Sequence, residues 1–117
     1  MLFRSLAAAG AAPDPARKVD GANMLDVWTG KQKAPDRTVF WEFNVQATQM
    51  LAAMRGDFKL LEFFEDNRLE LYNVKEDLSQ KKNLAKLMPE KTKELHQQMV
   101  DWRRGINAAM PTLKKAE

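Results

Sequence analysis

A chain of 117 residues that is 44% apolar and 30% charged, with five glycines and five prolines, has the composition of one globular domain with one core, and it is small for a metabolic enzyme. Its formal charge of +3 comes from nineteen basic and sixteen acidic residues spread from Arg4 to Lys115, without the clustering or interleaved aromatics of a nucleic-acid surface. The absence of cysteine excludes a disulfide, a thiolate nucleophile and a Cys-based metal site, and no apolar run is long enough to span a bilayer.

In chain order, Arg4 followed by LAAAGAA has the outline of a signal peptide, but its apolar part is too short and too rich in alanine. The segment reads instead as a short helix from Leu2 to Ala9, closed by Gly10. Pro13, Pro15, Arg17 and Lys18 mark a loop. Asn23 is placed to cap a helical turn from Met24 to Trp28, with Gly30 as its stop. Met24, Val27 and Trp28 then share a face that packs on the core. Lys31 to Asp36 is a polar linker.

Arg37 to Phe43, RTVFWEF, is a dense β-branched and aromatic run that reads as a buried strand, the central one of its sheet. Gln46 to Met54 has strong helix formers, so propensity alone favours a helix there. Phe58 to Phe64 and Leu69 to Val74 are apolar runs separated by Glu65, Asp66, Asn67 and Arg68, whose Asx chemistry favours a turn; together they read as a β-hairpin. Lys75 to Lys82 is a charged loop. Pro89 suits the first turn of a helix and Glu90 its positive end. Leu95, Met99, Trp102 and Ile106 form one stripe, with Lys93, Glu94, Gln97 and Asp101 facing out, so the helix covers one face of a sheet. Pro111 and the residues after it read as a loose tail.

Four segments together carry a family resemblance. Glu70-Leu71-Tyr72-Asn73-Val74, then Asp77, then Asn83-Leu84-Ala85, resembles the "ELYDL..DP.E..NLA" segment near the C-terminus of sulfatases, the sulfuric-ester hydrolases of the alkaline phosphatase superfamily. Gly56 to Leu60 is similar to that family's "GDWKL" strand, Arg37 to Phe43 to its "R..FWE" strand, and Val19 to Gly30 to its "DG.SLLPLL.G" turn. The departures are Asn73 for Asp, Leu78 for Pro, Gln80 for Glu and Phe58 for Trp, with Met54 where the family often has Arg. The resemblance implies an α+β fold, an antiparallel sheet of about four strands packed against the C-terminal amphipathic helix, with a short N-terminal helical remnant of a catalytic domain. It implies a strand rather than a helix over Val45 to Arg55. It also implies a boundary: residues 1–36 as the tail of the catalytic domain and linker, 37–117 as the C-terminal α+β subdomain, the chain starting within a larger parent.

The family's chemistry uses a formylglycine made from Cys or Ser in a C-x-P-S-R or S-x-P-x-R motif, and a divalent metal, Ca2+ or similar, held by acidic residues. Ser5 and Ser79 lie in SLAAA and SQKKN, so neither fits that motif. Asp66-Asn67 has the type of a metal-ligating Asp-Asn pair but falls in the hairpin turn, and Glu65-Asp66 and Glu76-Asp77 lack the further ligands a divalent site needs. His96 is the sole histidine and reads as a boundary residue of the helix. No catalytic residue, metal ligand or cofactor is therefore expected in this chain, which is expected to be inactive alone. Glu42, Asn44 and Lys59 are the residues that the resemblance places at the rim of the substrate pocket. The expected partner is the catalytic domain of a sulfatase, packed on this chain and completing the sulfate-ester pocket. A free-standing interaction module that self-associates through the same surface is the alternative, with Phe3, Leu6, Met24 or Trp28 exposed on it. Neither a membrane nor a nucleic acid is an expected partner.

Overall fold

The computed structural model describes residues 8–12, 14–16, 22–45 and 48–108, without the side chains of Asn44, Val45 and Thr48. The chain divides into two compact units, Met1–Pro35 and Asp36–Glu117. The first holds a single described helical turn, α1 (Leu25–Trp28). Asn23 sits one residue outside the expected cap position: its Oδ1 accepts the Leu25 N–H at 3.0 Å, an Asx turn leading into the helix. Gly30 ends the turn with φ 74°, and Gly10 has φ 72°, both in the left-handed region open to glycine. The rest of the helix expected from Leu2 lies outside the described residues, as does the tail from Pro111. Trp28 does not pack into a core. It is 61% exposed and α1 buries none of its residues, since four residues make too short a helix to present a stripe.

The second unit is a four-stranded antiparallel meander, β1 (Val39–Val45), β2 (Thr48–Arg55), β3 (Phe58–Phe63) and β4 (Arg68–Asn73), followed by α2 (Pro89–Ile106). The spatial order is the chain order. β1 is therefore an edge strand and not the central one. Consecutive hairpins lay each strand beside the last, so the first must end at an edge, whatever its composition. The aromatic density of β1 has another cause, which is that it carries apolar groups on both faces.

β2 is a strand in spite of QMLAAM. It pairs with β1 from Val39↔Met54 to Val45↔Thr48 and with β3 from Met50↔Phe63 to Arg55↔Phe58. Leu51, Ala52 and Ala53 are at most 1% exposed. Ladders on both sides and full burial outweigh a helix preference of a few tenths of a kcal/mol per residue, roughly. The β2–β3 turn passes through Gly56 at φ 57°, and the β3–β4 turn through Asn67 at φ 54°. In that second turn Asp66 Oδ1 accepts the Arg68 N–H at 3.2 Å.

Alternation places Phe40, Leu51, Ala53, Phe58, Leu60, Leu69 and Leu71 on one face, against Leu95 and Met99 of α2. Trp102 stacks on Phe40, ring centres 5.1 Å apart and 14° from parallel. α2 starts at Pro89 as expected and ends on Asn107 in the left-handed conformation. Ile106 leaves the stripe and is 52% exposed. It is the last helical residue, next to the left-handed Asn107, where the helix ends.

Candidate functional site

Three polar constellations stand out in the second unit. The first ties the helix to the sheet. Glu62 falls by alternation on the α2 face and is only 8% exposed. Arg103 Nη1 donates to its Oε2 at 2.9 Å, and His96 Nε2 lies 3.1 Å from its Oε1, the geometry of an Nε2–H donor. The Arg103 guanidinium also lies over Phe64, 5.5 Å from the ring centre. His96 is thus a partner of a buried carboxylate, more than a boundary residue. Sequence reading missed Glu62, although an acid between Leu60 and Phe64 in strand alternation is the signal that would have found it. With both oxygens engaged, the carboxylate has a structural role.

The second is the sheet face opposite α2. The register sets Trp41, Ala52, Leu61 and Glu70 in one row, Phe43, Met50, Phe63 and Arg68 in the next, and Val39, Met54, Lys59 and Tyr72 on the other side. Val39, Trp41 and Phe43 are 45%, 37% and 49% exposed. On β4 the polar groups satisfy one another: Tyr72 Oη donates to Glu70 Oε2 at 2.8 Å, and Arg68 Nε pairs with Glu70 Oε1 at 2.9 Å. Burial and that acceptor push the Tyr72 phenol up to about 12. Lys59 Nζ lies 5.7 Å from the Trp41 ring centre.

Of the expected rim residues, Lys59 lies on the face opposite α2 and Glu42 on the α2 face, so the sheet does not bring them together. Asn44 pairs with Gln49 in the ladder, and its side chain lies outside the described residues.

The third constellation is the loop after β4. Asp77 Oδ2 accepts the Lys82 N–H at 2.7 Å, and these backbone bonds hold its carboxyl below the usual range. Asn83 Oδ1 accepts from Leu71 N–H at 3.1 Å and Ala85 N–H at 2.9 Å. The oxygens of the motif residues are thereby committed to backbone.

No group of three or more His, Cys, Asp or Glu able to hold a metal occurs among the described residues. Asp66 accepts from Arg68 with both oxygens. The described residues do not fit a divalent cation. No helix among the described residues is long and apolar enough to cross a membrane.

An antiparallel meander with one long helix across one face defines a two-layer α+β unit. Solved structures sharing it are sulfatases, as the sequence resemblance implied. No family model and no curated protein sequence matches the chain. A protein assigned as a sulfatase from Bacteroides thetaiotaomicron VPI-5482 superposes with a TM-score of 0.72 at 25% identity, over 88% of this chain and 23% of that one. BT1596, a 2-O GAG sulfatase, gives 0.77 at 22% identity over 92% and 24%. BT4656, solved with its substrate D-glucosamine-2-N,6-O-disulfate, gives 0.73 at 21% over 97% and 25%. The chain therefore has the fold of one part of a sulfatase and spans about a quarter of the length of the structures it matches.

Proposed function

We propose that this chain is the C-terminal region of a sulfatase-like protein, with residues 1–36 the end of the catalytic domain and its linker and 37–117 the α+β subdomain. Its work is to pack on the catalytic domain and help shape the sulfate-ester pocket. The observation that carries this reading is the apolar line along β1 of Val39, Trp41 and Phe43, exposed on the face opposite α2, in a chain whose structural matches are about four times longer. The arrangement has the anatomy of an interface: apolar toward β1, bounded on β4 by polar groups already paired. The nucleophile and the metal belong to the larger part, and Lys59 contributes from the rim.

Two measurements test it. The chain alone, given a chromogenic aryl sulfate and Ca2+, is expected to show no turnover; measurable hydrolysis overturns the assignment of the chemistry to another part. The coding DNA upstream of Met1 is expected to continue in frame into a C-x-P-S-R segment, and a stop codon directly upstream contradicts the assignment. The same exposed line supports a second reading, self-association of a free-standing module. Sedimentation then shows a dimer that Trp41→Ser with Phe43→Ser abolishes.

A further inference from the structure

β4 closes one side of the sheet, and the backbone groups facing away from β3 there offer a template for another strand. The strand RLELYN has no proline and no lysine to discourage one, and its two charges, Arg68 and Glu70, neutralise each other at 2.9 Å. Yet three of the outward groups in its second half are taken. Leu71 N–H donates to Asn83 Oδ1 at 3.1 Å, the Leu71 carbonyl accepts from Leu84 N–H at 2.7 Å, and the Asn73 carbonyl accepts from Asp77 N–H at 2.8 Å. At Leu71 a side-chain amide oxygen and a backbone N–H reproduce what a fifth strand would supply, in a segment that is not a strand.

That segment is itself held. Asn73 Oδ1 accepts from Lys75 and Glu76 N–H, and Asp77 Oδ2 from Lys82 N–H. Leu84, Ala85 and Met88 pack against the core, and Thr92 Oγ1 of α2 donates to the Ala85 carbonyl at 3.3 Å.

We propose that residues 74–88 are an edge lock, a strap that occupies the outer side of β4 and prevents a second copy of this chain from pairing there. Asn73, Asp77 and Asn83 are its fastenings. A second copy is the competitor because antiparallel pairing of β4 with its own duplicate is two-fold symmetric and needs no other partner. Asn83 is the critical residue: aspartate keeps an acceptor oxygen at the right distance, whereas alanine leaves the Leu71 N–H without one.

Amide hydrogen exchange reads the lock at Leu71. In the unaltered chain that amide is expected to be protected like Leu60 in the sheet interior. In dilute Asn83→Ala it should exchange about tenfold faster, the size of effect a lost hydrogen bond of ordinary strength produces. On concentrating the variant the protection should return as copies pair, which separates this event from association through the uncovered face. Asn83→Asp should restore the original rate. A Leu71 amide equally protected in dilute Asn83→Ala, or one that stays fast at every concentration, overturns the proposal. Should Asn83→Ala fail to fold, the unaltered chain decides alone, since a Leu71 amide as fast as that of Gly56 in its turn is incompatible with a closed edge.

Discussion

Arg103 and Glu62 stand forty-one residues apart and meet at 2.9 Å with their side chains 13% and 11% exposed, so one charge-assisted bond joins the helix to the third strand. Removing one partner strands the other in a site that water hardly reaches. Glu62→Ala is expected to lower unfolding stability by roughly 2–3 kcal/mol, because Arg103 and His96 both lose their acceptor. Urea denaturation measures it. Glu62→Gln should cost less, since it keeps one acceptor oxygen, and equal losses for the two variants would count against this account.

The chain has a single tyrosine, so its ionisation can be followed by tyrosinate absorbance without interference. Tyr72 is 8% exposed and pushed up to about 12, by burial first and by its bond to Glu70 second. The folded value exceeds the unfolded one, so this contribution to stability is whole below pH 10 and is lost as pH rises toward 12. Glu70→Gln should bring the folded titration down, with burial still holding it above 10. A folded protein whose tyrosine titrates at 10 refutes this.

At the start of the second unit, Arg55 grips Asp36 with Nε to Oδ1 at 3.3 Å and Nη2 to Oδ2 at 3.0 Å. Its hydrogen bond, and then its charge, hold the Asp36 carboxyl below 3.8. A depressed value means stability that is present above the unfolded value and lost as pH falls through the folded one. Asp36→Asn should therefore flatten the acid side of a plot of melting temperature against pH. The pair is exposed, so high salt should shrink the difference.

Asn67 takes a left-handed conformation, φ 54°, in the β3–β4 turn. Asn67→Ala is expected to cost about 1 kcal/mol, the penalty of a β-carbon in that region, and Asn67→Gly to be neutral within a few tenths. Thermal melts of the two variants decide it, and an alanine variant as stable as the glycine one would show that the turn relaxes.

Local chemistry made much of the fold legible. The Asx turn at Asp66, the proline that opens α2 and the Leu95–Met99–Trp102 stripe each carry their instruction within a few residues, and each is realised. Where a residue's state depends on a distant neighbour, local reading was blind. The helix formers of Gln49 to Met54 lie in a strand because β1 and β3 flank them. The role of Glu62 needed a helix thirty-four residues away to bring His96.

The sequence alone determined which residues alternate, where the chain turns, and that no cysteine is available for the chemistry of the family it resembles. Only the tertiary structure decided that β1 lies at an edge, that its aromatic row faces away from α2, and that Asn83 completes the backbone bonding of β4. Strand order and edge closure are relations between segments, set by which backbone groups find partners once the sheet has formed. Composition and periodicity describe one segment at a time and hold no record of those pairings.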